Sequence, residues 1–556
     1  MDFNLGARWL FILGECLMAA VVPPVNSPQD AMAGDSVNSS QRRMEKIDAW
    51  CERWGDRFNP ILVKETRQAL KSRQFVITFS LLLFAAFSWT IVGTFSLMPA
   101  IYDTPSAPRM MFGYYFVLAL PMLLVVPLAA YRSLEGEIDD GTLELLSITA
   151  LSPKQIVLGK LASAMLQMLL YFVVLFPCIS YAYTLRGVDF PTTVALLAML
   201  TLAGILMTIV ALFFAPLSQS RTGRVAMLLV VIMLLIGAEW VLGLAAYELI
   251  TFGNLWANDL DQGIPIVGGV VLLAPALGYL LLTLTAAQLT PPSENRSTKI
   301  RVALLLVNAS VAAWVSLGSM GTEAVFVMLY FGVGGLMLLW TLASSMLVAE
   351  SPVLTSRVQR DLPQSFLGRS VLTWLTPGPA TGLIFSTLNL FLIAVMAVGT
   401  VLVFNGQVTS SFTAREQRMV MQFVFAFVSY LTCFLLLVYG LMRSLRRKNN
   451  PRVEVGFAAL VVVAVFASVG PYGVQLYFND FLSFPYSSWQ ATNWVWTLSS
   501  ILDGDDCSAL VQVIGMVGVF GVCGILVMNS ALVRPRRTAT PERVRQELEQ
   551  AKRGQG

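Results

Sequence analysis

The chain has 556 residues, of which 56% are hydrophobic and 13% charged, with a formal net charge of +4. Soluble domains carry about 25% charge, so this composition, with a mean hydropathy of +0.70, excludes a soluble globular fold and identifies an integral membrane protein. The absence of histidine excludes histidine triads, histidine metal sites and histidine general bases, and none of the six cysteines forms a C-x-x-C pair, so neither a zinc site nor a disulfide framework is expected.

In chain order, residues 1–43 come first. Arg8 precedes "WLFILGECLMAAVV" and "AMA" follows at 31–33, a pattern similar to a signal peptide. Cleavage would leave the basic segment from Arg42 to Arg73 outside the cell, against the charge distribution described below. An uncleaved extension or a misplaced start is therefore expected, with Met44 as an alternative start. Residues 23–43 read as a disordered linker.

Residues 44–74 form a cytoplasmic segment that holds "NPILVKETRQALKSRQ" (59–74). On a helical wheel Leu62, Thr66, Ala69 and Leu70 gather on one side, and Lys64, Arg67 and Lys71 opposite. Such a basic amphipathic helix is expected to lie in the membrane interface with its cations toward lipid headgroups.

A helix needs about 20 apolar residues to cross the hydrocarbon core, and the sequence offers twelve such runs. Six fall in 75–288 (75–98, 112–131, 158–183, 193–217, 225–250 and 266–287). Six more fall in 289–533 (302–318, 324–349, 383–404, 420–441, 453–478 and 509–533), and a basic tail follows at 534–556. With the N-terminus in the cytoplasm, alternation places 33 of the 37 Lys and Arg residues inside, leaving Arg109, Arg186, Arg415 and Arg418 outside. That asymmetry fixes the orientation by the positive-inside rule. The expected fold is an all-α polytopic membrane protein with about twelve spans and both termini cytoplasmic, in a plasma (inner) membrane and of bacterial type.

Between the second and third spans lies "LEGEIDDGTLELLSITALSPKQIVLGK" (134–160), which covers most of an expected cytoplasmic loop at 132–157 and runs into the third span. Glu135, Glu137, Asp139, Asp140 and Glu144 crowd five carboxylates into ten residues on a side that is otherwise basic. Asp140-Gly141 is a turn signal, and "TLELLSI" reads as a short helix that presents Leu143 and Leu146. Ser152, Pro153 and Gln155 fit a capping box with proline at the first helical position, which starts a helix continuous with the third span. A short helix joined to a span in this way suits a docking element for a cytoplasmic partner.

The stretch resembles the cytoplasmic coupling loop of type-2 ABC exporter permeases, of approximate form E-x-x-x-G-T-L-E-x-L-L-x-x-P-L-S-x-x-x-I-x-x-G-K. The chain matches at Glu137, Gly141, Thr142, Leu143, Glu144, Leu146, Leu151, Ser152, Ile156, Gly159 and Lys160, and departs at Ala150, where proline is usual. "NPILVKETRQALKSR" also resembles that family's amphipathic connector. The resemblance covers about residues 58–288. It implies a permease core that pairs with a second core, in a homo- or heterodimer, and a separate cytoplasmic ATPase that docks on the loop and drives export. ATP and magnesium would then belong to the partner. No G-x-x-x-x-G-K-[ST] phosphate loop occurs in the sequence, so the chain itself is expected to be neither an enzyme nor a binder of cofactor, metal or nucleic acid.

Residues 302–533 do not repeat the coupling motif. They suit either a degenerate second core or an accessory bundle. The loop before the last span holds Phe484, Tyr486, Trp489, Trp494 and Trp496, which reads as an interfacial aromatic belt or a re-entrant hairpin, with a sugar- or lipid-stacking surface as the alternative. Glu239 falls near the middle of the fifth span and is the candidate for a substrate path, because a carboxylate at that depth faces a cavity or a partner. Gln167, Asn308, Asn389 and Gln512 read as neutral interhelical hydrogen-bonding groups. The competing functional reading is a twelve-span secondary transporter driven by an ion gradient, a class that places ionisable residues at the midplane.

Overall fold

A computed structural model describes residues 60–99, 101, 103–141, 152–218, 220–251, 260–291, 294–318, 325–352, 359, 373–404, 414–446, 452–482, 485–528, 542, 546 and 550. Among these there is no strand, and twelve helices are long and apolar enough to cross a membrane. The chain is an all-α multi-pass membrane protein. The extension at 1–43, the alternative start Met44, Phe484 and almost all of the tail lie outside the described residues.

The contacts divide the chain into two compact units, 1–253 and 254–556. The boundary falls before the sixth apolar run, one span earlier than the expected division at 288. The reason is local. Only a short connection separates the sixth and seventh spans, so they form an antiparallel hairpin, and that hairpin belongs wholly to the second unit.

The first unit opens with α1 (Pro60–Lys71), followed by the spans α2 (Arg73–Leu97), α3 (Ala107–Asp139), α4 (Pro153–Thr184), α5 (Phe190–Phe214) and α6 (Arg221–Thr251). Helix α3 is its axis. It packs against each of the other four spans, and 56% of its apolar window is buried, against 11% for α2 and for α6. A bilayer leaves no driving force for burying leucine against leucine, so close packing and hydrogen bonds hold such bundles together. Here Gly113 lets the Trp89 ring lie on α3, since a Cβ at Gly113 would stand 2.0 Å from that ring. The Thr90 and Tyr114 hydroxyls bond at 2.6 Å, and those of Thr94 and Tyr181 at 3.0 Å.

Helix α3 widens to a π-helical segment over Leu120–Val125, with Pro121 near its start and Pro127 just beyond. Proline carries no N–H to close an ordinary helical turn, and π segments of this kind concentrate at functional sites.

The second unit holds α7 (Leu260–Leu289), α8 (Ser297–Gly318), α9 (Val325–Val348), α10 (Pro379–Phe404), α11 (Ala414–Leu445), α12 (Glu454–Phe478), the short α13 (Trp494–Asp503) and α14 (Ser508–Met528). Helix α11 packs against α9, α10, α12, α13 and α14. As expected for interhelical groups, Asn308 donates to Asn389 at 2.8 Å and accepts from the Trp340 indole at 2.8 Å.

Asn493 caps α13, accepting from the Trp496 amide. The Trp494 indole donates to the Ala464 carbonyl at 3.0 Å, and the Trp496 ring meets Tyr472 and Tyr486 edge-on. These two tryptophans are therefore packing elements of a short helix laid on the bundle. Trp489 alone of the three stands exposed.

Candidate functional site

The residues singled out between the second and third spans converge at one end of the first unit, where α1, the last turns of α3 and the first turns of α4 meet. The start of α4 is set locally. Ser152 accepts from the Gln155 amide, the Gln155 side chain accepts from the Ser152 amide at 2.8 Å, and Pro153 occupies the first turn. The expected capping box is therefore formed. From that start Gly159 and Lys160 come to lie on the buried side of α4.

Lys160 is the centre of the site. Its side chain is 1% exposed and its ammonium reaches Glu65 Oε1 at 3.1 Å, Glu137 Oε2 at 3.1 Å and Ser133 Oγ at 2.7 Å. Ser133 donates in turn to Glu65 Oε2 at 3.0 Å. Three helices thus share one buried cation: Glu65 from α1, Ser133 and Glu137 from α3, and Lys160 from α4. An ammonium has three donors; two are directed at Glu65 Oε1 and Ser133 Oγ, and Glu137 Oε2 is held beside them as an ion pair. Lys64, exposed on α1, adds an ion pair to Glu137 Oε1 at 3.4 Å. A further ion pair joins Asp139, at the end of α3, to Arg224 at the start of α6.

The basic face of α1 is as expected, with Lys64, Arg67 and Lys71 all exposed. Its opposite face differs. Leu62, Thr66, Ala69 and Leu70 are only half-buried, while Ile61 and Glu65 are the buried positions. Glu65 was not anticipated. The signal was present, because Glu65 sits one turn after Ile61 and one turn before Ala69, and a carboxylate on the apolar face of an interfacial helix requires a partner.

Glu135 is half-buried beside Asp139 and Arg132. Gly141 is exposed and adopts φ +66°, which the turn after α3 requires and which glycine adopts without strain. Thr142, Glu144 and Leu146, with the short helix expected at "TLELLSI", lie outside the described residues.

Glu239 lies apart from this cluster, midway along α6. Its Oε2 is enclosed and meets no hydrogen-bond partner among the described residues, and the same holds for the hydroxyl of Tyr115 on α3. Gln167 does not form the expected interhelical hydrogen bond with a described residue. It lines a cavity of about 280 Å³ between α1, α2, α3 and α4.

No family model matches the chain, and no curated protein and no solved structure matches it either.

Proposed function

We propose that this chain is the membrane-spanning permease of an ATP-driven exporter of the type-2 ABC class, working with a separate cytoplasmic ATPase and a second permease core. The observation that carries this reading is the Lys160 cluster. A partner would push on the stretch after α3. It would load the end of α3 and the capped start of α4, which a buried cation ties to each other and to α1. Breaking such a tie leaves an uncompensated buried charge, at a cost of about 3–5 kcal/mol, so the three helix ends would move together.

On this reading Glu135, Glu137, Thr142, Glu144 and Leu146 surround the ATPase contact, and Ser152, Pro153 and Gln155 start the helix that receives the motion. ATP and magnesium are bound by the partner. The site faces the cytoplasm of a bacterial cell, and the chain resides in its plasma (inner) membrane.

The test is co-purification from native membranes. Glu137 is unsuitable as a probe of docking, because its carboxylate holds Lys160. Glu144→Lys/Leu146→Asp is the better variant, since Glu144 and Leu146 belong to the stretch itself. An ATPase that co-purifies with the wild type and is lost with this variant is the expected result. An ATPase absent from both would remove the basis of the proposal. The enclosed, unpartnered oxygens of Glu239 and Tyr115 favour the second reading, a secondary transporter. That reading predicts gradient-driven transport without ATP, abolished by Glu239→Gln.

A further inference from the structure

The cavity between α1, α2, α3 and α4 has a mixed lining. Gln68, Gln74, Gln167 and Arg132 supply its polar groups. Phe75, Val125, Val126 and Tyr171 make an apolar wall. Val125 and Val126 stand at the end of the π-helical segment of α3, so the irregular turn shapes this wall.

The charges divide unequally. The Lys160 ammonium is taken up by Glu65 and Glu137 and is closed to a ligand. Arg132 is different. It is exposed at the mouth and makes no hydrogen bond to a described residue, although Glu135 feels its charge. The three glutamines of the lining likewise make no side-chain hydrogen bond to a described residue, and each amide offers two N–H donors. Immediately outside, sharing Gln68 with the cavity, lies the exposed cationic face of Lys64, Arg67 and Lys71.

A guanidinium without a hydrogen-bond partner among the described residues, neutral amide donors, a Glu65 carboxylate already neutralised by Lys160 and a cationic approach describe a phosphate site. The apolar wall adds what a free phosphate does not need and a lipid does. The volume of about 280 Å³ lies just below the ligand-pocket range of roughly 300–1,000 Å³. It suits a headgroup and its glycerol rather than whole acyl chains, which would leave along α2 and α3 into the bilayer.

We propose that this cavity binds the phosphodiester headgroup of one anionic phospholipid, with Arg132 as its cation, Gln68, Gln74 and Gln167 as its neutral donors, and the α1 basic face as the surface that collects it. Juxtamembrane basic segments concentrate anionic lipid at the membrane surface. The cavity turns that general attraction into a single site. This inference is independent of the ATPase reading, because it needs only that the chain spans a bilayer.

The experiment uses the full chain in vesicles of phosphatidylcholine doped with phosphatidylglycerol, followed by native mass spectrometry of the released protein. The expected result is retention of phosphatidylglycerol in preference to phosphatidylcholine. Arg132→Gln should lower retention about tenfold, the scale of one charge-assisted hydrogen bond. Ala129→Phe, which fills the cavity, should do the same with an unchanged melting temperature. If that variant does not fold, Gln167→Leu replaces it. Lys64→Gln/Arg67→Gln/Lys71→Gln should keep the bound lipid when phosphatidylglycerol is saturating. Equal retention of the two lipids overturns the proposal, as does retention indifferent to Arg132→Gln. Loss only in the basic-face variant would mean surface attraction and no cavity site. Displacement of the lipid by inorganic phosphate alone would make it a soluble-anion site and would equally overturn the assignment to lipid.

Discussion

Lys160 is a cation that the fold has withdrawn from water, at 1% side-chain exposure, and it is tolerated because two carboxylates and a hydroxyl replace its hydration. Removing one partner from such a cluster costs far more than the cluster is worth as a whole, because the remaining charges stay buried. Lys160→Met is therefore expected to destabilise the protein by about 3–5 kcal/mol, read from unfolding in detergent. Glu65→Leu/Glu137→Leu/Lys160→Met should recover most of that loss. A single-substitution cost under about 1 kcal/mol would place the cluster with solvent-screened surface pairs. The peripheral pair Lys64–Glu137 is a useful contrast. Lys64 is 60% exposed, so Lys64→Gln is expected to change stability little.

At the scale of the element, α4 starts where it does because Ser152, Pro153 and Gln155 supply what a helix N-terminus lacks. The first turn has amides with no partner inside the helix, and the Ser152 hydroxyl accepts one of them while Gln155 returns to the Ser152 amide. Ser152→Ala is expected to cost about 0.5–2 kcal/mol locally. Faster amide hydrogen exchange confined to residues 154–157 would show it, with the lipid-buried part of α4 unaffected. Unchanged exchange there would mean that packing by α1, not the cap, holds the first turn. Helix α1 illustrates the opposite balance. At twelve residues it is marginal alone, since isolated helices shorter than about 12–15 residues are unstable in water. Its place depends on Glu65 reaching Lys160 and on its packing against α4.

Across the whole molecule, each compact unit has its own buried cluster of apolar side chains, one drawn from 82–250 and the other from 276–511. Each also has its own buried ion pair. In the second unit Arg301, with 0% side-chain exposure, reaches Glu350 Oε2 at 2.7 Å and donates to the Trp374 carbonyl at 2.7 Å and to Ser297 Oγ at 3.0 Å. Glu350 also accepts from the Gly378 amide at 2.8 Å. The two ion pairs are thus confined to separate cores. Arg301→Met is expected to lower hydrogen-exchange protection across α8–α11 and to leave α3–α5 protected, and Lys160→Met to do the reverse. Equal loss across both units would show one cooperative core.

The membrane class and the positions of the spans were determined by the sequence alone, because a bilayer forces every spanning backbone to satisfy its own hydrogen bonds and so to appear as a long apolar run. The cap at Ser152 was legible for a similar reason, since its partners are neighbours in the chain. Contacts between residues distant in sequence were not. Glu65 is 95 positions from Lys160, and nothing local marks the two as partners. The same holds for Arg301 with Glu350 and for the cavity beside Arg132. The division of the chain at 253 rather than 288 also came only from packing, since an apolar run records its length and depth but not which neighbour it lies against. Hydropathy is a property of each segment, whereas a buried charge is stable only with a partner that the tertiary fold brings to it.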